Sequence, residues 1–188
     1  MRLQQRGMIV SLGMAAFLFS SVARSADPAS GPDTATVLGK LHHSNQMEIA
    51  AGKLAQDKGL SKDVKSFGKT LVTDHTAADK KVVALAKQEK IDLPAEEPAA
   101  DMIDKLKATA ATEFDRTFAS EMLDDHRKDV AEAKEARDAT KDAKLKSLLA
   151  ATIPVLEKHR DTAQKLVDKL GPSATAAGVN VTPTTTKK

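Results

Sequence analysis

Apolar residues recur every three or four positions through most of residues 34–170, which is the spacing of one face of an α-helix. The pattern predicts four long helices over about 34–58, 62–90, 111–139 and 142–170, and a short one over 101–108. Asp33 and Ser61 are the residue types that begin helices, and each directly precedes a predicted one. Nothing after the first 25 residues alternates in the way a strand does, so the predicted class is all-α.

The lengths of the links between these helices predict how the chain is wired. The first and third long helices are each followed by only a few residues, so each should form an antiparallel pair with the helix after it. The link after the second long helix has about 20 residues, long enough to run back along the bundle. This predicts a ferritin-like four-helix bundle with one long crossover between helices two and three. A plain up-and-down bundle, capped by the short helix, is the alternative.

A short motif occurs twice at the centre of the pattern. Phe67–His75 reads FGKTLVTDH and Phe118–His126 reads FASEMLDDH, so both copies share Phe, a Leu or Met, and Asp-His. Phe and His are eight residues apart, a little over two helical turns, and therefore fall on the same apolar stripe. A polar ring on an apolar stripe, seen twice, indicates a polar centre inside the bundle.

Placing residues at 100° steps puts one titratable side chain on the inward stripe of each long helix. These residues are Glu48, His75, His126 and His159. Their distances from the predicted turns place all four near the middle of the bundle. Three imidazoles and a carboxylate suit a single Zn, Cu, Ni or Fe ion, so the four are candidate metal ligands. A buried Glu–His hydrogen-bonded network without metal is the competing interpretation.

The remaining polar residues near these positions are interpreted as surface groups. Asp74 and Asp125 each precede an inward His, and helix neighbours point about 100° apart, so both are poor ligands for the same ion. Each either orients a ring from an adjacent helix or is solvated, and we favour the solvated interpretation. His42 and His43 lie off the stripe and are interpreted as exposed.

The ends of the chain predict export. Residues 1–25 combine basic Arg2 and Arg6 with an apolar run and small residues at a cleavage site, which is typical of a secretory signal peptide. An uncleaved membrane anchor is the alternative. Residues 26–33 form a linker, 34–170 the bundle, and 171–188 a tail rich in Ala, Thr and Lys that we predict to be disordered. The expected location is the periplasm or another exported compartment, and outer-membrane association is compatible with it.

Composition argues against nucleic-acid binding, Cys-based chemistry and triad hydrolysis. Three of the 29 basic residues lie in the predicted signal, and without them the basic residues equal the 26 acidic ones, so no basic excess favours nucleic acid. The absence of Cys excludes thiolate metal sites and Cys nucleophiles. No spacing typical of a hydrolase triad is found, and we predict no catalytic residues.

Several motifs, in order, resemble a known family. They include N-x-x-E-I-x-x-G from Asn45, L-V-x-D-H from Leu71, M-L-x-D-H from Met122 and I-P-x-L-x-x-H from Ile153. Together they resemble the exported bacterial family known as domain of unknown function 4142, over about residues 34–170. The resemblance implies a signal peptide, a ferritin-like bundle and no settled biochemical role.

Iron chemistry of the ferritin type is not expected. Di-iron bundles use an E-x-x-H motif on two helices, whereas the residues three positions before the inward His residues are Val72, Leu123 and Leu156. Two functions therefore stay open. One is an exported bundle that binds a single metal ion in envelope metal handling or stress protection. The other is a structural or partner-binding envelope protein whose inward residues form a polar network.

Overall fold

The computed structural model describes residues 32–94 and 100–171, and within these ranges it contains five α-helices and no strand. The helices are α1 (Thr34–Lys58), α2 (Lys62–Glu89), α3 (Ala100–Ala108), α4 (Ala111–Ala139) and α5 (Ala143–Leu170). The all-α prediction is confirmed, and the predicted long helices correspond to α1, α2, α4 and α5 within one residue at each end. The predicted signal peptide, most of the linker and the tail beyond Gly171 lie outside the described residues.

Side-chain caps explain where three helices begin. Asp33 accepts a hydrogen bond from the Thr36 amide, and Ser61 accepts one from the Val64 amide. Asp142 accepts from the amides of Lys144 and Leu145. Each cap satisfies backbone donors that have no partner within the first turn. Asp142 is therefore the cap of α5, although the apolar pattern placed it inside the helix.

Contacts between the long helices show their directions. Asn45 with His75 and His42 with Asp79 pair α1 with α2, and the residue number rises in one helix as it falls in the other. Three other helix pairs are antiparallel by the same test. Arg127–Gln164 and Lys134–Glu157 join α4 to α5, and Lys40–Glu132 and Ser44–Asp129 join α1 to α4. Asp63–Lys169 and Glu89–Lys144 join α2 to α5.

These directions decide the topology. Because α1 is antiparallel to both α2 and α4, α2 and α4 run parallel, so the chain between them must return along the bundle. The long crossover of the predicted bundle is therefore present, and the plain up-and-down alternative is wrong. Part of the crossover is α3, which packs against α1 and α4. Lys58 holds the end of α3 by donating to the carbonyls of Leu106, Lys107 and Thr109.

A layer of polar residues divides the core into two apolar clusters. The lower cluster includes Phe67, Phe118 and Leu166, and the upper cluster includes Leu38, Val82 and Leu149. Between them, at the same height on the four long helices, lies a buried polar layer that consists of Asn45, Glu48, His75, His126 and His159. The polar centre predicted from the repeated motif is thus inside the bundle and flanked by dry packing on both sides.

Two glycines bring α1 and α2 close together just below the polar layer. A Cβ added at Gly52 would lie 2.6 Å from the Gly68 carbonyl oxygen, and one added at Gly68 would lie 2.7 Å from the Gly52 oxygen. Only residues without a side chain allow this approach. The seam between α1 and α2 is therefore closed. Within the part of the chain that the structure describes, no helix combines the length and apolar character that a membrane crossing needs.

Candidate metal centre

Three histidines from three helices meet in the polar layer. His75 on α2, His126 on α4 and His159 on α5 are 3%, 0% and 1% exposed. Their ring centroids are 5.7, 5.2 and 5.3 Å apart in pairs, and one nitrogen from each ring lies within 4.8 Å of the others. The Phe at the start of the first motif packs against this cluster, because the Phe67 ring is in edge contact with His159 at 6.1 Å. Phe67 also contacts Phe118, the Phe of the second motif, at 6.0 Å.

Each of the three rings is held by a hydrogen bond on the side away from the centre. His75 Nδ1 donates to Asn45 Oδ1 at 2.9 Å, and His126 Nδ1 donates to the Met122 carbonyl at 2.8 Å. His159 Nε2 donates to Asp74 Oδ2 at 2.9 Å. These bonds set the ring orientation and the tautomer, since a nitrogen that donates leaves the other as a free acceptor.

The nitrogens that remain are buried and have no partner. They are His75 Nε2, His126 Nε2 and His159 Nδ1. Burial and the two other histidines lower the pKa of His75 well below its usual value. Burial and His159 lower the pKa of His126 to about 4, and burial lowers the pKa of His159 as well. The rings are therefore neutral at physiological pH, with lone pairs available to bind a cation.

Glu48 is also fully buried, but it lies on the other side of the His126 ring. Its Oε1 is 3.3 Å from His126 Nδ1, the nitrogen whose proton points to the Met122 carbonyl. Glu48 groups instead with Asp125 and Asp129, with one oxygen from each within 4.8 Å of the others. The structure thus brings three of the four predicted ligands together and places the fourth in a neighbouring cluster of carboxylates, which we call the acidic cluster.

Repulsion and burial govern the protonation of the acidic cluster. Burial, followed by the charge of Asp125, raises the pKa of Glu48 well above its usual value and that of Asp129 to about 6. Ionised carboxylates can only accept hydrogen bonds, so they cannot satisfy one another. Both oxygens of Glu48 and Oδ2 of Asp125 are buried without a hydrogen-bond partner. Burial raises the pKa of Asp125 too, and the interaction with the Glu48 side chain partly offsets that rise.

Comparison with protein-family models identifies the chain. The model described as a domain of unknown function, DUF4142, matches residues 20–166. The chain belongs to the DUF4142 family. The resemblance that the sequence motifs indicated is therefore confirmed.

One solved structure has the same fold as this DUF4142 chain. It is described as "CopM in the Cu(I)-bound form" and superposes with a TM-score of 0.66 at 18% sequence identity, covering 74% of this chain and 99% of that one. At such low identity the likeness establishes the helical fold alone. None of the curated proteins matches this chain.

The interpretation of Asp74 and Asp125 as solvated is wrong. Asp74 is hydrogen-bonded to a buried His of another helix, and Asp125 is only partly exposed beside Glu48. In a four-helix bundle, a residue 100° from the inward stripe points along the seam toward a neighbouring helix, where a buried group can reach it. The Asp-His step in both repeats was the available signal, but the helix that each Asp faces depends on the bundle topology.

His42 also differs from its interpretation as exposed. It is 9% exposed and its Nδ1 lies 2.7 Å from Asp79 Oδ1, whose other oxygen accepts from Gln46. The reason is that α1 contacts α2 on one side and α4 on the other. The buried part of its surface is therefore wider than its apolar stripe and includes His42. His43 is exposed as predicted.

Proposed function

We propose that this DUF4142 domain binds one transition-metal ion between His75, His126 and His159. The observation that carries the proposal is the convergence of three buried ring nitrogens that have no hydrogen-bond partner. Leaving such atoms unpaired in an apolar interior costs free energy, and a metal ion would satisfy all three together. The hydrogen bonds from the opposite ring nitrogens orient the ligands, as is usual for metal-binding histidines.

Copper(I) fits this donor set best. Imidazole nitrogens suit Cu, Zn, Ni and Fe, but three neutral ligands in a buried site supply no charge to balance a divalent ion. A monovalent ion needs less compensation. The structural neighbour is described in a Cu(I)-bound form, which supports the same choice. The ligand pattern offers no E-x-x-H pair for a di-iron centre.

The role that this site supports is metal handling in the cell envelope. The predicted signal peptide would direct the domain to an exported compartment. There it could protect the cell from stress by holding the ion, or deliver the ion to a partner protein. The lowered pKa values keep the ring nitrogens unprotonated in mildly acidic surroundings, so binding should persist there. We propose no catalytic residue.

The competing function is a structural or partner-binding bundle whose inward residues form a metal-free network. Such a network stabilises a fold when its members satisfy one another. Six side-chain atoms of the described residues are buried without a partner, and five of these atoms belong to Glu48, His75, His126 and His159. This weighs against a purely structural role.

The metal content of the mature protein, purified from the periplasm without a His tag, tests the proposal. We expect about one equivalent of copper, and Cu(I) bound in competition with a chromophoric chelator. His126→Leu should lose the ion, because it removes one ligand and fills the site with apolar bulk. His43→Leu is the matched control, since His43 is an exposed histidine on the same chain, and it should retain the full equivalent.

A protein with no bound metal, and with a melting temperature that Cu(I), Zn and Fe leave unchanged, would contradict the proposal. The four inward residues would then be a polar network, and protein partners would become the object of study. Equal metal loss in His126→Leu and His43→Leu would place the ion at the surface.

A further inference from the structure

We infer that the acidic cluster of Glu48, Asp125 and Asp129 is a second cation site, which takes a divalent ion that prefers oxygen ligands. It lies beside the three-histidine site and does not depend on it. The His126 ring separates the two, because its Nδ1 side faces Glu48 while its free Nε2 belongs to the histidine cluster. The inference goes beyond the proposed function, which concerns a single ion bound by nitrogen.

The geometry brings three carboxylates from two helices to one point. Glu48 comes from α1, and Asp125 and Asp129, one turn apart, come from α4. One oxygen from each lies within 4.8 Å of the others. Ser44, one turn before Glu48 on α1, donates its hydroxyl proton to Asp129 at 2.6 Å and thereby positions that carboxylate. Carboxylate oxygens held in this way are the ligands that hard divalent cations select.

The second observation is the state of Glu48 itself. Its side chain is 0% exposed, is aimed at the two Asp residues, and neither of its oxygens has a partner. A cation in contact with the cluster would satisfy these oxygens and reduce the repulsion among three neighbouring carboxylates. The charge of Lys128 offsets part of the rise that burial causes in the pKa values of Asp125 and Asp129, but its side chain is 70% exposed and pairs with Glu132, so it does not satisfy the buried Glu48 oxygens.

An ion can reach this site from solvent. Asp125 and Asp129 are partly exposed, and with Ser44 and Asn45 they line a groove between α1 and α4. The opposite seam, between α1 and α2, is closed by Gly52 and Gly68. Asn45, which lines this groove, also accepts the hydrogen bond from His75. The acidic site therefore lies on the accessible side of the polar layer.

Mn²⁺ is a suitable probe, because the signal of the free ion in electron paramagnetic resonance falls as it binds. We expect the full mature chain to bind about one equivalent with saturation. Asp129→Asn and Asp125→Asn should each weaken binding on the order of tenfold or more, since each removes one charged ligand. Asp124→Asn is the matched control, because Asp124 is on the same helix, is exposed and pairs with Arg127, and it should bind as the parent does.

A histidine-site variant separates this inference from the proposed function. His75→Leu removes a ligand of the nitrogen site, and the His75 hydrogen bond goes to Asn45 and not to a carboxylate, so this variant should bind Mn²⁺ like the parent while losing copper. Absence of saturable Mn²⁺ binding, or equal weakening by Asp124→Asn, would overturn the inference. Loss of Mn²⁺ in His75→Leu would overturn it too, by showing one shared site. Circular dichroism on each variant checks that the helices are retained, and the three Asn variants preserve side-chain shape.

Discussion

The histidine cluster and the acidic cluster lie side by side in one polar layer, yet burial acts on them in opposite ways. Burial removes protons from the histidines and lowers their pKa values. It adds protons to the carboxylates and raises theirs. The same physical cause, the cost of a charge away from water, favours the neutral form of both groups when no cation is present. The layer is therefore tolerable in the metal-free protein.

The difference between the clusters is in how each is enclosed. Each histidine is held by a hydrogen bond from its outer nitrogen, and the three rings form a closed nitrogen site between two apolar clusters. The carboxylates line an open groove, and Glu48 has no hydrogen bond to hold it. An enclosed site of neutral nitrogens favours an ion of low charge that stays bound. A partly open site of oxygens favours a hard ion that exchanges. Four experiments test this contrast.

The largest expected effect is on the pH dependence of the free energy of unfolding of the metal-free protein. Folded His126 has a pKa of about 4 and the unfolded residue about 6.5, so between these values the unfolded state binds a proton that the folded state does not. Acidification from pH 6.5 to 4 should therefore destabilise the protein by roughly 3 kcal/mol through this residue. His126→Leu should lack that loss in urea unfolding, and parallel pH profiles for the two proteins would contradict the assignment.

Asp129→Asn should have the opposite effect. The pKa of folded Asp129 is about 6 against 3.8 when unfolded, so the folded state binds the extra proton in this window and acidification stabilises the parent. The variant should be more stable than the metal-free parent at pH 7 by roughly 2 kcal/mol, after allowance for partial exposure. The advantage should disappear by about pH 4. A variant less stable than the parent at pH 7 would contradict the assignment, because the ionised carboxylate would then contribute more than its burial and repulsion cost.

Asp74→Asn tests whether the hydrogen bonds from the outer ring nitrogens contribute to Cu(I) affinity. Replacing the carboxylate that orients His159 should weaken Cu(I) binding by roughly 10- to 100-fold, the usual effect of removing such a partner. The midpoint of unfolding of the metal-free protein should change little, because the amide oxygen still accepts from the ring. Asp63→Asn, an exposed carboxylate on the same helix that pairs with Lys169, is the control and should leave affinity unchanged. Unaltered affinity in both variants would remove Asp74 from the site.

The smallest effect concerns the closed seam opposite the groove. Gly52→Ala places a Cβ 2.6 Å from the Gly68 oxygen, and the resulting shift of α1 from α2 should outweigh the helix propensity of Ala for a net loss of about 1 kcal/mol. Gly39→Ala, on the same helix, meets only Pro94 at 3.6 Å, so it should stabilise by up to about 1 kcal/mol. Thermal unfolding measures both. Equal effects in the two variants would mean that the close approach does not constrain the helices.

Much of the candidate site could be predicted from helical spacing. Glu48, His75, His126 and His159 were assigned to the interior, and all four are at most 3% exposed. Their common height also followed from counting along helices with clear ends, because helical rise per residue is constant. Whether the three histidines bind metal remains a prediction.

The contacts across seams could not be predicted in this way. For Asp74, solvent was favoured over contact with a ring of an adjacent helix, because a helical wheel distinguishes inward from outward but does not say which helix lies beside each flank. The same limit applies to His42, which is buried against Asp79 of α2. Glu48 and the histidine site lie on opposite sides of the His126 ring. Helical periodicity does not resolve positions that differ by the width of one ring.

The sequence by itself determined the helices, their ends and the inward position of Glu48, His75, His126 and His159, because these depend on local capping and spacing. Link length favoured the crossover, and the directions of the packed helices decided it. Only the tertiary structure decided which nitrogen of each ring is free, that Asp74 and Asn45 hold two of the rings, and that the carboxylates form a cluster of their own. Those features depend on distances between side chains 30 to 85 residues apart, which are set by how the helices pack and which no local pattern encodes.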